Sequence, residues 1–139
     1  MSKSVLIIDD DEDLSVLLME FLQSKGFTVS RAFDGASGLE KARAQLPDLI
    51  TMDFNMPGAN GVETYNKLRS HPETAVIPVI FFSSTMMGLI KRMVLENTRI
   101  KFLKKGCPTK ELEACVNEMM ALPKLAPPPP PPVKPDGLR

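Results

Sequence analysis

Apolar positions along this chain fall into two rhythms that alternate. The first rhythm is a short continuous run. Residues 5–8 (Val-Leu-Ile-Ile), 27–29 (Phe-Thr-Val), 48–52 (Asp-Leu-Ile-Thr-Met), 76–82 (Val-Ile-Pro-Val-Ile-Phe-Phe) and 100–103 (Ile-Lys-Phe-Leu) read as five strands. The second rhythm is helical spacing. Leu14, Leu17, Leu18, Phe21 and Leu22 form one apolar stripe, and Ala36, Leu39, Ala42 and Leu46 a second. Val62, Tyr65 and Leu68 form a third. Met86, Leu89, Ile90, Met93 and Val94 form a fourth, and Leu112, Cys115, Val116, Met119 and Met120 a fifth.

Local punctuation agrees with this division. Gly26 stops the first helix and Pro47 the second, Asp34-Gly35 marks a turn, and His71-Pro72 breaks the third helix. His71, the single histidine, is expected to face solvent in that loop. Pro108 stands just before the last helix, where its missing N–H costs nothing. Continuous apolar strands separated by helices predict a parallel sheet covered on both faces. With right-handed crossovers this is a doubly wound α/β fold.

The composition changes after Leu122. Six prolines, Pro127 to Pro132, begin a tail that is expected to be polyproline II or disordered. The expected division is a domain at 1–122 and a Pro-rich tail or linker at 123–139.

Charge narrows the function. Lys plus Arg and Asp plus Glu are 17 each, so the net charge is zero, which argues against coating nucleic acid by bulk electrostatics but leaves room for a small local basic patch. The first apolar run has four residues, too short for a signal peptide or a membrane span. Cys107 and Cys115 have no histidine beside them, which argues against zinc and for reduced thiols in a cytoplasmic protein.

In a parallel α/β sheet, ligands collect beyond the carboxyl ends of the strands. Asp9-Asp10 follow the first strand, Asp53 the third, Ser83-Ser84 the fourth and Lys104-Lys105 the fifth. Taken singly, each has an ordinary explanation: a helix N-terminus, a cap, a turn, a solvated lysine. Taken together, they describe carboxylates that repel one another unless a cation sits among them. Oxygen donors of this kind suit Mg²⁺, and a hydroxyl and an ammonium opposite the metal complete a phosphoryl-binding site.

These segments resemble response-regulator receiver domains. The opening Val5-Leu-Ile-Ile-Asp9-Asp10 is similar to theirs. Asp53-Phe-Asn55-Met56-Pro57-Gly-Ala-Asn-Gly61 resembles their phosphorylation segment, Asp-x-x-Met-Pro-x-x-x-Gly. Ser83-Ser84 and Phe102-Leu103-Lys104 resemble the ends of their fourth and fifth strands. The resemblance runs from residue 4 to about 121 and implies a flavodoxin-like strand order, 2-1-3-4-5.

The resemblance also implies roles. Asp53 is the expected phosphoacceptor in two-component signalling, fed by a histidine kinase or phosphotransfer protein. Asp9, Asp10, Asp53 and the carbonyl of Asn55 are the expected Mg²⁺ ligands. Lys104 and Ser83 are expected to contact the phosphoryl group. The chain is then a regulatory phosphoacceptor that promotes its own phosphorylation and slow dephosphorylation, not an enzyme in the ordinary sense. It is expected to signal to a downstream protein through the face built by its fourth main helix, fifth strand and last helix, with no direct contact to nucleic acid or membrane. The alternative is a degenerate receiver used as a phosphorylation-independent scaffold.

Counted from Lys104, three features depart from the family. Lys105 stands where Pro is usual, and Lys101 where an aromatic residue is frequent. Thr98-Arg99 replace a Gly-Ala, and the spacing from Ser83 is one residue short. These differences all fall on the output side. Met86, Met87 and Met93 lie in the same region and read either as helix core or as a plastic docking surface.

Overall fold

The computed structural model describes residues 3–54, 56, 58, 60–84, 87–93 and 99–123. Five strands, β1 (Ser4–Ile8), β2 (Thr28–Ala32), β3 (Leu49–Met52), β4 (Val79–Ser83) and β5 (Ile100–Lys104), form one sheet in the order β2-β1-β3-β4-β5. Each neighbouring pair is parallel. The helices are α1 (Glu12–Ser24), α2 (Gly35–Gln45), α3 (Gly61–Arg69), α4 (Pro72–Ala75), α5 (Met87–Met93) and α6 (Thr109–Met120).

Alternation along the strands divides the interior into two cores. On one face Leu6, Ile8, Ile50, Met52, Val79 and Phe81 meet Ala42 of α2, Val62, Tyr65 and Leu68 of α3, and Ile90 of α5. On the other face Val5, Ile7, Leu49, Ile80, Phe82 and Leu103 meet Leu18 and Leu22 of α1 and Leu112, Cys115, Val116 and Met119 of α6. Because both faces are covered, strands β1, β3 and β4 carry apolar residues at nearly every position.

Helix caps set where the chain leaves the sheet. Asp11 caps α1 by accepting from the Leu14 N–H at 3.1 Å, and Glu12 and Asp13 fill the positive first turn. Asp34 caps α2, accepting from the Ser37 N–H at 2.7 Å. That hydrogen bond holds its carboxyl below the usual range. Asn60 and Glu63 form a capping box at α3.

Two local expectations change. Residues 76–78 are not strand. Pro72–Ala75 make a single helical turn after the break at His71, and β4 starts only at Val79, after Pro78. The cause is Pro72 at the first helical position, together with Thr74, whose hydroxyl donates to the Leu68 carbonyl at 2.6 Å. His71 is half-buried as the cap residue of that turn, not a solvent-facing loop residue. The polyproline segment and Met86 lie outside the described residues.

Candidate functional site: an acidic pocket at the strand ends

The strand order reverses direction between β1 and β3, and there the two following helices leave on opposite faces and open a crevice. Both strands continue one residue past their ends toward it. The Asp9 N–H donates to the Ala32 carbonyl at 3.0 Å, and the Asp53 N–H donates to the Ile8 carbonyl at 2.9 Å. The sheet ladder therefore fixes the backbones of the two aspartates side by side. Asp9 is 3% exposed and Asp53 5%, whereas Asp10 is exposed at the rim. One carboxylate oxygen from each of Asp9, Asp10 and Asp53 lies within 4.8 Å of the others.

The acidic run at the start of α1 thus has two jobs. Asp11, Glu12 and Asp13 serve the helix N-terminus. Asp9 and Asp10 serve the pocket, and Asp9 is steadied by the Asp11 N–H, which donates to its Oδ1 at 2.9 Å.

Gly61 explains the glycine that closes the Asp53 segment. A Cβ at residue 61 would stand 2.2 Å from the Asp53 carbonyl oxygen. The Gly61 N–H donates to the Phe54 carbonyl at 2.7 Å. The start of α3 therefore presses directly on the backbone of the Asp53 loop, and only glycine permits that approach.

The ammonium in this pocket belongs to Lys105. Its Nζ lies 2.9 Å from Asp9 Oδ2 and 3.3 Å from Asp53 Oδ1. Lys104 does not take this place. It is still in the ladder, paired in register with Ser83, and its side chain is exposed. The expectation for Lys104 failed because β5 runs one residue beyond its apolar run. The sheet edge therefore begins at 105.

Counting from Lys105 removes the aromatic departure and the short spacing, while the missing proline and Thr98-Arg99 in place of Gly-Ala stay. The residue three positions earlier is Phe102, an aromatic, and the spacing from Ser83 gains its missing residue. Phe102 stacks on Phe81 at 5.7 Å between ring centroids, and the Lys91 ammonium lies 5.3 Å from the Phe102 centroid. Lys101 instead points to α6 and pairs with Glu118 at 2.9 Å. The residue after the pocket lysine is Gly106, not proline. Thr98 and Asn55 lie outside the described residues. Arg99 is described, and its Nε donates to the Val76 carbonyl at 2.8 Å.

Charge in the pocket is unbalanced. Burial, then the neighbouring charge of Asp9, pushes the Asp53 carboxyl up to about 6, with Asp10 adding to the effect and Lys105 opposing it. Burial also works against the charge on Lys105. The hydrogen bond and charge of Asp9, joined by Asp53, outweigh it and hold the ammonium above its usual range. Three carboxylates against one ammonium leave two formal negative charges, so the donor set fits a divalent cation with oxygen preference.

Ser83 is buried at the end of β4, beside the same edge, and its carbonyl accepts from the Lys105 N–H at 2.8 Å. The two thiols stand apart from this chemistry. Both are free, and burial pushes Cys115 up to about 11 and Cys107 above its usual value, as expected of unreactive thiols.

Comparison with known proteins agrees with the geometry. The response regulator receiver domain family matches residues 5–117. The chain is 29% identical over 128 residues to the alkaline phosphatase synthesis transcriptional regulatory protein PhoP of Bacillus subtilis, covering 92% of this chain and 52% of that protein. It is 33% identical over 120 residues to hybrid signal transduction histidine kinase D of Dictyostelium discoideum, covering 86% of this chain and 8% of the kinase. The chain thus spans about half or less of these relatives.

Among solved structures, the Vibrio cholerae chemotaxis protein CheY4 superposes with a TM-score of 0.79 at 24% identity, over 86% of this chain and 99% of that one. The Thermotoga maritima response regulator TrrA, solved with Mg²⁺ and BeF, gives 0.72 at 24% identity, over 84% and 98%. At these identities the structural matches establish the shared fold. Among the described residues, no helix is long and apolar enough to cross a membrane. With an acidic pocket at the β1/β3 edge, a lysine bridging two of its aspartates and a family match across most of its length, the chain belongs to the response regulator receiver domains.

Proposed function

We propose that this domain accepts a phosphoryl group on Asp53 from a phosphohistidine of a kinase or phosphotransfer partner, and that the modified domain changes its affinity for a downstream protein. The observation that carries the reading is the Lys105 ammonium set between Asp9 and Asp53 in a pocket of three converging carboxylates. A constitutive scaffold has no need of so unbalanced a cluster. TrrA, which shares the fold, was solved with Mg²⁺ and BeF.

Asp9, Asp10 and Asp53 would hold Mg²⁺, with the carbonyl of Asn55 as a further donor. Bound there, Mg²⁺ supplies neutralising charge for phosphoryl oxygens. An oxygen of the Asp53 carboxylate attacks phosphorus. The new bond is O–P, the bond that breaks is P–N, and the imidazole nitrogen leaves with the electron pair. Lys105 follows the negative charge from the Asp53 carboxylate to the phosphoryl oxygens, and the Ser83 hydroxyl donates to the same group. The added charge and acceptors draw on donors at the ends of β4 and β5, next to Phe102 and α5. The response is a shift between conformations already present, read through the face formed by α5, β5 and α6.

The domain comprises residues 1–122 in this reading, with residues 123–139 as tail or linker. Incubation with Mg²⁺ and acetyl phosphate, followed by intact-protein mass spectrometry, tests the function. One phosphoryl group per chain is expected, abolished by Asp53→Ala and by chelation of Mg²⁺. No uptake by the wild-type chain would overturn the proposal in favour of a phosphorylation-independent scaffold.

A further inference from the structure

The lysine in the pocket is carried on a turn, not on a strand. Lys105 follows the last residue of β5, and the Cys107 N–H donates to the Lys104 carbonyl at 3.1 Å, closing a four-residue turn over residues 104–107. At the third position of that turn Gly106 has φ +89°, in the region that side-chain-bearing residues rarely adopt. A turn with positive φ at its third position is the kind that glycine makes accessible. The second anchor is the Lys105 N–H, which donates to the Ser83 carbonyl at 2.8 Å and fixes where the turn begins. A Cβ built on Gly106 meets nothing within 4 Å. The demand for glycine is therefore conformational, not a matter of space.

We propose that Gly106 is a positioning residue for Lys105, its left-handed backbone holding the turn that delivers the ammonium between Asp9 and Asp53. A substitution at 106 shifts the turn toward conformations with negative φ. These redirect the Lys105 Cα–Cβ bond and withdraw the ammonium from the pocket while the strands stay in place. Asparagine tolerates positive φ best among ordinary residues, alanine less, and a β-branched valine least. The functional consequence rests on the phosphoacceptor reading above; the positional claim stands apart from it.

The test compares Gly106→Asn, Gly106→Ala and Gly106→Val with wild type in the full chain. Phosphorylation by acetyl phosphate is expected to fall in the order Asn, Ala, Val, with a loss of about tenfold for Val, the equivalent of about 1.4 kcal/mol. Mg²⁺ affinity, measured by titration calorimetry, is expected to hold or rise, because the ammonium no longer competes for Asp9 and Asp53. General damage to the fold would lower both. In a Lys105→Ala background, Gly106→Val is expected to change the phosphorylation rate little further.

Crystal structures of the wild type and Gly106→Val give a readout free of the reaction. Lys105 withdrawn from Asp53 in the variant supports the proposal, and Lys105 in place in a well-folded variant overturns it. Wild-type protein that takes no phosphoryl group sinks the phosphoacceptor reading alone, since the Lys105 position in the variant still decides the role of Gly106. Where the wild type is phosphorylated, equal rates across the series, or an additive loss in the Lys105→Ala background, would also overturn it.

Discussion

Lys105 bridges Asp9 and Asp53, at 2.9 Å from one and 3.3 Å from the other, and no more than 14% of its side chain is exposed. Its neighbour Lys104 is exposed. The pair makes a controlled comparison: same side chain, adjacent positions, opposite environments. Lys105→Ala is expected to slow phosphorylation by acetyl phosphate about 10²-fold or more, the scale seen when one preorganised charge donor is removed. Lys104→Ala is expected to leave the rate within about twofold, as surface lysines do little at this distance from developing charge. Rate measurements on the two variants at the same Mg²⁺ concentration check this.

Asp53 is poised against its own fold. Its carboxyl is raised to about 6 from an ordinary value of 3.8 by burial and by Asp9. A raised folded-state value means that the folded chain holds the proton more tightly than the unfolded chain does. The corresponding stability is present in full below the unfolded value, near pH 4, and is lost as pH rises through about 6. Metal-free Asp53→Asn is therefore expected to be more stable than wild type at pH 7 by about 1–3 kcal/mol, with the difference vanishing near pH 4. Urea denaturation of both proteins across that range gives the test. Saturating Mg²⁺ is expected to close the gap at pH 7 by stabilising the wild type.

Gly61 has no room for a side chain, because its Cβ would meet the Asp53 carbonyl oxygen at 2.2 Å. Gly61→Ala is expected to cost about 1–3 kcal/mol of stability, the range for overpacking in a close-packed region. It is also expected to lower the phosphorylation rate, since the loop bearing Asp53 must move. Gly88, with nothing within 4 Å, is the control: alanine there leaves the rate unchanged. Denaturation curves and rates on the two variants decide the matter.

Phe102 and Lys101 are adjacent but belong to different parts of the molecule. Phe102 packs against the core that contains Phe81 and Tyr65, so Phe102→Ala is expected to cost about 3 kcal/mol. Lys101 makes an exposed ion pair with Glu118, and Lys101→Ala is expected to cost under about 1 kcal/mol. Thermal or urea unfolding separates the two outcomes.

Much of this was legible in the sequence, for physical reasons. The central runs, β1, β3 and β4, are buried on both sides, so their continuous apolar character marked them as strands without help from alternation, whereas β2 and β5 are only partly buried. Asp9, Asp10 and Asp53 follow those runs directly, and a parallel sheet brings its strand ends to one edge. Their convergence could therefore be anticipated from order alone. The end of β5 could not be placed the same way. Two lysines follow Leu103, and which of them enters the pocket depends on one more ladder position opposite Ser83 and on the turn at Gly106. The available signal was the spacing from Ser83 and the aromatic Phe102, both of which fit Lys105. The turn Pro72–Ala75 carries no apolar periodicity and stands directly before the β-prone run at 76–82, so Pro72 at its first position was the one clue to it.

A crystal structure with Mg²⁺ and beryllofluoride, which mimics a phosphoryl group, is the most direct measurement of the central claim. Mg²⁺ is expected among the carboxylates of Asp9, Asp10 and Asp53, with beryllofluoride bonded to Asp53 and contacted by the Lys105 ammonium. Beryllofluoride seated elsewhere, or Lys104 making that contact in place of Lys105, would contradict the account.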